Sequence, residues 1–219
     1  MKMKTLFRFM RDQDGGPLVE VAVMIPIMFT FLLGSIDFLN AYYQWNAATK
    51  AVQVGARLAA VSDPVADGLN TIPTNALSTS VLLGDPMPAF EVTCDGATSS
   101  CTCTSGTCTG LGSYSATAMN TIVYGRGKTA CNTTSTYYYV GMCNFRPSIT
   151  AANVTIKYTQ TGLGYAGRVA GPVPTITVSV ENLPFQFFFL KGLLGFANKQ
   201  MPGLSTTVTG EALASGAQS

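Results

Sequence analysis

The sequence predicts an α+β fold in which a long N-terminal helix packs on a small antiparallel sheet with disulfide-rich loops. Three observations support this fold class. An uncharged apolar tract lies near the N-terminus, an amphipathic helical pattern follows it directly, and strand-like segments with six cysteines occupy the rest of the chain. With 219 residues, the chain has room for one ordinary domain and an appendage.

The apolar tract is long enough to cross a membrane. Sixteen consecutive uncharged residues separate Glu20 from Asp37. A helix rises about 1.5 Å per residue, so these residues span roughly 24 Å, and flanking apolar residues extend them toward a hydrocarbon layer of about 30 Å. We therefore expect residues 16–39 to form a transmembrane helix that follows a leader of residues 1–15.

The distribution of charge gives the tract an orientation. Four basic residues precede it, and the next basic residue is Lys50. The positive-inside rule then places the leader in the cytoplasm and residues 63–219 on the other side of the membrane, as an exported domain. Beyond residue 15, nine basic and nine acidic side chains remain. This balance shows no basic face for nucleic acid, so no nucleic-acid partner is expected.

The helix is expected to continue past the membrane. Apolar or small residues recur at alternating spacings of four and three, which draws one stripe along a helix: Ala47, Ala51, Val54, Leu58 and Val61. We expect one helix from about Pro17 to Ala60, in which residues 40–62 form an amphipathic extension. Pro26 lies inside the membrane half and is expected to kink it.

Strand patterns fill much of the exported domain. Alternating apolar residues predict strands at Ile149–Tyr158 and Thr175–Val180 and, less regularly, at 80–83, 89–94 and from Leu204 onward. Residues 116–124 fit either a short helix or a strand. The aromatic cluster of Tyr137, Tyr138, Tyr139 and Val140 is expected in a strand or in the core.

A second apolar run extends from Phe185 to Phe196. Lys191 and two glycines interrupt it, and it is too short to span a membrane. We expect it in the core or at a sheet edge, with contact to a membrane or a partner as the alternative.

The cysteines are expected to form disulfides. All six lie between residues 94 and 143, in the exported part, where oxidation is favoured: Cys94, Cys101, Cys103, Cys108, Cys131 and Cys143. We expect a cysteine-rich loop at residues 94–143 that these bonds hold together, because residues 95–112 contain too little apolar content to pack unaided. Six cysteines allow fifteen pairings, among which Cys131 with Cys143 is favoured because they bracket one short segment. A zinc cluster is the alternative, but the chain has no histidine and no C-x2-C pair.

The sequence offers little for catalysis. Without histidine, neither a Ser-His-Asp triad nor a Cys-His pair can form. The segment Gly125–Thr129 ends like a phosphate-binding loop, but Ile122 stands where that motif requires glycine. We therefore expect no enzyme activity, no cofactor and no metal site.

Glu20 requires an explanation, because a carboxylate inside a membrane costs at least about 2 to 3 kcal/mol unless an interaction offsets it. In one interpretation, it lies at headgroup level and favours the helix dipole. In the other, a peptidase cuts between Gly15 and Gly16, and the new α-amino group lies at the depth of Glu20. A secretory signal would instead place its small-residue cleavage site after the apolar tract.

Together, these features resemble the type IV pilin and pseudopilin superfamily. Within it, the chain looks like the TadE-like proteins of tight-adherence (Flp) pilus systems. The resemblance is carried by G-G-P-L-V-E-V-A-V-M-I-P at 15–26, G-S-I-D-F-L-N-A at 34–41 and A-V-Q-V-G-A-R-L-A-A-V at 51–61. The later N-L-P-F-Q-F and T-T-V-T-G-E segments are more weakly similar to that family. The strong part covers residues 11–62.

The resemblance implies a pilin-like fold and a role as a minor pilin or pseudopilin in the bacterial inner membrane. It implies cleavage by a prepilin peptidase after Gly15, with Gly16 as the new N-terminus and Glu20 as the fifth mature residue. Glu20 would set the register of assembly, and Asp37, the second acidic position, would be interfacial. Pro17 departs from the alanine that is usual in the family.

The implied partners are the inner membrane, the prepilin peptidase, other pilins or pseudopilins, and the pilus assembly machinery. The chain is too long for a bulk filament subunit of these systems. The alternative function is an exported binding or adhesin domain on an uncleaved signal anchor. An exported enzyme is a third hypothesis, for which the sequence shows no carboxylate or thiolate site.

Overall fold

In the computed structural model, the described residues are 16–132, 140–195, 199–210 and 213. The chain divides into two compact units. The helix unit comprises Met1–Tyr42 and Gln186–Lys199, and the sheet unit comprises Tyr43–Phe185 and Gln200–Ser219.

The N-terminal helix, α1, runs without interruption from Gly16 to Val61. Its length confirms the predicted long helix, and its last residue, Val61, lies next to the expected end at about Ala60. Pro26 lies inside α1, so the ring does not terminate the helix, and the expected kink stays a prediction. The Thr30 hydroxyl donates to the Pro26 carbonyl at 2.8 Å, which is a common way for a helical threonine to satisfy its polar group.

The sheet unit contains a five-stranded antiparallel sheet, which confirms the α+β class. The strands lie in the order β2-β1-β3-β4-β5. Their bounds are Phe90–Asp95 for β1, Ser100–Gly106 for β2, Val154–Thr159 for β3, Thr175–Val180 for β4 and Leu204–Thr209 for β5. The two clearest predicted strands are thus present and pair directly, with Ile156 opposite Val178.

One face of this sheet is buried, as the period-two pattern predicts. Alternate residues of the three central strands face the core: Phe90, Val92, Cys94, Val154, Ile156, Tyr158, Ile176, Val178 and Val180. They share one hydrophobic cluster with α1 residues Ala48, Ala51, Val52, Ala56 and Ala59. The part of α1 in the sheet unit therefore supplies the other wall of the core.

The buried stripe of α1 differs from the predicted one. Of the predicted positions only Ala51 is fully buried, whereas Val61 is exposed. The buried face instead consists mainly of alanine and glycine, with Val52 among them, and these small residues allow the helix to approach its neighbours closely. At Gly55, an added Cβ would lie 2.5 Å from the Met142 sulfur, so this position has no room for a side chain unless Met142 moves. The prediction from hydrophobicity alone therefore placed the stripe on the wrong face of α1, because the larger apolar residues lie beside the contact with the core and not within it.

Among the described residues, three short α-helices follow α1: α2 at Ile72–Asn75, α3 at Ala116–Tyr124 and α4 at Phe189–Leu194. Residues 116–124 are thus helical, which decides between the two predicted alternatives. Ser115 caps α3, because its hydroxyl accepts a hydrogen bond from the Ala118 N–H at 3.3 Å.

Two local predictions were wrong. Residues 80–83 form a turn, in which the Asp85 carboxylate accepts a hydrogen bond from the Leu82 N–H at 2.7 Å. Such side-chain bonds compete with strand pairing. Residues 95–112, predicted as a loop, contain β2, which is exposed and pairs with β1. Backbone pairing and disulfides hold this edge strand, so it needs no apolar pattern. Tyr137, Tyr138 and Tyr139 lie outside the described residues.

Tyr158 provides a test of the core. Its buried hydroxyl accepts a hydrogen bond from the Val65 N–H at 3.0 Å, and burial raises the pKa of Tyr158 above its ordinary value of 10.0. Above pH 10 the unfolded chain loses this proton and the folded chain keeps it, so folding stability falls as the pH rises. We expect Tyr158→Phe to destabilise the chain by about 1 to 2 kcal/mol at pH 7 and to weaken this alkaline loss. Urea unfolding in detergent at pH 7 and pH 11 measures both effects, and equal unfolding free energies at pH 7 would contradict the first.

Candidate functional site

The candidate site is built on the first part of α1. Gly16 is the first helical residue of the structure, and Gly15 lies outside the described residues. Glu20 follows one turn later with an exposed side chain. Residues four apart lie on the same face of a helix, so the backbone nitrogen of Gly16 and the carboxylate of Glu20 share one side of α1.

Apolar side chains cover about the next five turns of α1 and are exposed. The large exposed members include Val21, Met24, Ile25, Met28, Phe29, Phe31, Leu32, Ile36, Phe38 and Leu39. Within the part of the chain that the structure describes, α1 is the one helix with the length and composition to cross a membrane, with mean hydropathy 2.1 in its most apolar window. An apolar surface of this extent and length matches a hydrocarbon layer.

Asp37 interrupts this apolar surface and is buried, with a relative exposure of 0%. Its carboxylate accepts three backbone hydrogen bonds from the start of α4, from the N–H groups of Phe188 at 3.0 Å, Phe189 at 2.8 Å and Leu190 at 2.7 Å. The carboxylate thus satisfies N–H groups that a helix leaves unpaired at its first turn. Asp37 therefore contacts a distant segment of its own chain, and its implied interfacial role stays a prediction.

Two further residues of α1 contact the same segment. The Asn40 side-chain amide donates to the Gln186 carbonyl at 3.1 Å. A Cβ placed on Gly34 would lie 3.8 Å from a methyl group of Leu190, so the segment approaches α1 at the level of this glycine. Gly34, Asp37 and Asn40 are three residues apart and form one face of the helix. We call residues 186–195 the aromatic loop.

The aromatic loop contains most of the second apolar run, whose first residue, Phe185, packs against the hydrophobic core of the sheet unit as expected. Residues 189–194 form α4 within the helix unit and belong neither to the hydrophobic core of the sheet unit nor to a sheet edge. An aspartate inside an apolar helix signals that a buried partner is required. No local pattern identifies that partner, because Asp37 and Phe188 are 151 residues apart in the sequence.

Residues 183–184 and 200–201, which we call the neck, lie side by side in the sheet unit. They hold together the two ends of the segment that contains this loop. The Met201 N–H donates to the Leu183 carbonyl at 2.6 Å, and Pro184 forms an isolated bridge with Gln200. The Arg146 guanidinium donates to the Pro184 carbonyl at 3.0 Å and to the Gln44 side-chain oxygen at 2.9 Å. Burial lowers the pKa of the Arg146 guanidinium below its ordinary value. Arg146 thus connects the neck to the helical wall of the same unit.

All six cysteines form disulfides: Cys94 with Cys101, Cys103 with Cys108, and Cys131 with Cys143. The third pair is the one that the sequence favoured. Cys94 and Cys101 lie opposite each other on β1 and β2, so their bond fastens the edge strand to the sheet. Because every cysteine is used in this way, no free thiol remains for the alternative zinc cluster.

The remaining polar groups of the sheet unit fit structural roles. Lys157 and Glu91 form an ion pair of 2.9 Å across β3 and β1, and hydrogen bonds from Lys157 and Thr104 lower the pKa of Glu91. Among the described residues, no group of three or more His, Cys, Asp or Glu side chains is placed to hold a metal ion. A groove of about 660 Å³ beside α1 is lined by residues that include Val54, Leu58 and Arg126, and the lining residues that the structure describes include no carboxylate or thiolate.

Comparison with known proteins bears on α1 alone. Residues 18–57 match the family model of TadE-like proteins. This helix is TadE-like. The match includes Glu20 and Asp37, and it confirms the resemblance seen in the sequence. Searches among curated proteins and among solved structures found no match to the chain.

The TadE-like match indicates a protein associated with the tight-adherence pilus and with a membrane. It covers the exposed apolar surface of α1 and also reaches Arg57, inside the sheet unit. Gly15 and Gly16 precede the matched residues, and the five strands follow them. The cleavage position and the exported domain therefore stay predictions from the sequence.

Proposed function

We propose that this protein is a minor pilin or pseudopilin of a tight-adherence (Flp) pilus that takes part in pilus assembly. Residues 16–39 anchor it as a single-pass protein of the bacterial inner membrane, with the leader in the cytoplasm and residues 63–219 on the periplasmic or extracellular side. The observation that carries the proposal is the TadE-like helix with an exposed apolar surface between Glu20 and Asp37.

Processing by a prepilin peptidase after Gly15 gives Glu20 a partner. Cleavage leaves a positively charged amine on Gly16, which lies about 6 Å from Glu20 along the helix axis. In a weakly screening environment, the two opposite charges attract strongly. The amine of the same subunit or of a neighbouring subunit offsets the burial of the carboxylate, and this pairing sets the axial register between subunits.

The sheet unit fits an exported domain. Its three disulfides suit an oxidising compartment such as the periplasm. The partners that follow from the proposal are the prepilin peptidase, other pilins or pseudopilins, and the assembly machinery in the inner membrane. This role requires recognition and packing, which the apolar helix and the disulfide-bonded domain provide.

The N-terminus of the mature protein tests the proposal. In cells that contain the pilus system, we expect mass spectrometry of the membrane-extracted chain to show a protein that begins at Gly16. Gly15→Leu should leave the full-length chain uncleaved, because a large side chain then precedes the cut. Gln53→Leu is the control, since it places a leucine at an exposed position of α1 far from the cleavage position and should leave processing intact.

Two outcomes would count against processing. A wild-type chain that still carries residues 1–15 would favour the uncleaved signal anchor of an exported binding or adhesin domain. Cleavage of the Gly15→Leu chain at the same rate as wild type would show that another peptidase removes the leader.

A further inference from the structure

The aromatic loop exposes large apolar side chains next to the membrane-spanning part of α1. Phe188 has a relative exposure of 68%, and Phe189 follows it on the first turn of α4 with 41%. Surface phenylalanines that lie side by side in a well-packed protein mark a contact with another apolar surface. Because these phenylalanines and the apolar part of α1 belong to the same helix unit, the surface that α1 contacts is the candidate for this contact.

Hydrogen bonds fix the depth of the loop relative to α1. Asp37 lies seventeen residues after Glu20, which corresponds to about 26 Å along the helix axis. If Glu20 marks one boundary of a hydrocarbon layer of about 30 Å, Asp37 lies within one helical turn of the other boundary. The N–H groups of Phe188 and Leu190 contact Asp37 directly, so the loop is held at this second boundary.

The neighbours of the loop have the composition of a membrane interface. On α1, Phe38 and Tyr42 are exposed near the same level. Aromatic residues concentrate at the headgroup level of membrane proteins, where the ring contacts lipid and its polar end contacts water. Lys191, in the last turn of α4, has a long side chain that can extend from this level to the water phase.

We propose that the aromatic loop is a second membrane-contacting element, inserted into the outer interface of the bilayer that α1 spans. Phe188 and Phe189 enter the lipid, and the backbone of the loop covers the carboxylate of Asp37. The loop thereby lets α1 carry a charged residue at the membrane boundary without exposing it to lipid. This inference rests on the proposed membrane anchor, and it adds a lipid contact 150 residues later in the chain.

The bilayer is the occupant that the geometry favours, because the phenylalanines continue the exposed apolar surface of α1. Gly34, Asp37 and Asn40 hold the loop on the same helix whose other residues are exposed toward lipid. A neighbouring subunit that covers Phe188 in an assembled pilus is the competing occupant. A measurement on the isolated chain in vesicles separates the two.

Tryptophan fluorescence provides that measurement. Trp45 is the single tryptophan of the chain, so Trp45→Phe gives a background without it. Into this background we would introduce Phe188→Trp as the probe, Phe31→Trp as a membrane control and Val169→Trp as a water control. Phe31 is 78% exposed near the middle of the apolar surface, and Val169 is 90% exposed in the sheet unit.

Each full-length variant is reconstituted at low protein density into phosphatidylcholine vesicles that contain brominated lipids. We expect lipids brominated near the headgroup to quench Phe188→Trp at least two-fold more than Val169→Trp. Lipids brominated deep in the chains should quench Phe31→Trp most strongly. Phe189→Trp serves as a second probe if the first variant does not fold.

The controls separate the two proposals. If Phe31→Trp is quenched but both loop probes match Val169→Trp, the aromatic loop does not contact lipid and the inference fails while the anchor stands. If Phe31→Trp is also unquenched, α1 does not span the bilayer, and the proposed anchor fails together with the inference.

Discussion

Asp37→Ala is expected to release the aromatic loop from α1. The substitution removes the acceptor of three hydrogen bonds and leaves the N–H groups of Phe188, Phe189 and Leu190 without it. A hydrogen bond to a charged group contributes about 1.5 to 3 kcal/mol, so the loss of three should open this turn readily. We expect amide exchange at residues 188–190 to become about 100-fold faster, as measured by mass spectrometry in detergent.

Two controls show whether the effect belongs to the carboxylate. Asp37→Asn keeps one acceptor oxygen and should give an intermediate exchange rate. Ser35→Ala removes a hydroxyl that bonds only to the Leu32 carbonyl of the same helix, and should leave the loop unchanged. If residues 188–190 exchange at the wild-type rate in Asp37→Ala, the carboxylate does not hold the loop.

Glu20→Ala is expected to reduce incorporation of the subunit into pili by at least about ten-fold. A hydrogen-bonded charge pair contributes about 1.5 to 3 kcal/mol, and each 1.4 kcal/mol changes an equilibrium ten-fold. The alanine variant lacks the charge that would pair with the amine of Gly16. Quantification of the protein in sheared pili and in membranes gives the incorporated fraction.

Glu20→Asp is the matched control, because it keeps the charge and shortens the side chain by one methylene. Met24→Leu tests whether any change on the exposed surface of α1 has the same effect. Both variants should incorporate better than Glu20→Ala. Unchanged pilus assembly and subunit incorporation in Glu20→Ala would remove Glu20 from the mechanism.

Much of the fold was predictable because its signals are local. The apolar tract and the helical spacing identify α1, and strict alternation identifies β4, whose bounds match the prediction. These patterns follow from the geometry of the helix and the strand, with periods of 3.6 and 2 residues. The strand β3 begins at Val154, after a short 3₁₀ turn. The predicted strand, which begins at Ile149, therefore starts too early in the sequence.

Other features depend on contacts between distant residues. The partners of Asp37 come from the far end of the chain, and nothing near Asp37 encodes them. The strand β2 has an exposed, apolar-poor sequence, and its structure depends on pairing with β1 and on the bond between Cys94 and Cys101. The small-residue face of α1 is likewise not predictable from hydrophobicity, because the position of Met142 is what leaves no room for a side chain at Gly55.

The neck has a consequence for the architecture of the chain. β4 and β5 are adjacent and antiparallel, with Val180 opposite Leu204, so everything between them is a single hairpin connection. The ladder and the bonds at Leu183 and Pro184 close this connection before the aromatic loop begins. The loop is therefore a cassette: its length and chemistry can change while the registry of the sheet stays the same. A replacement of residues 186–199 by a short turn would preserve the hairpin and isolate the contribution of the cassette.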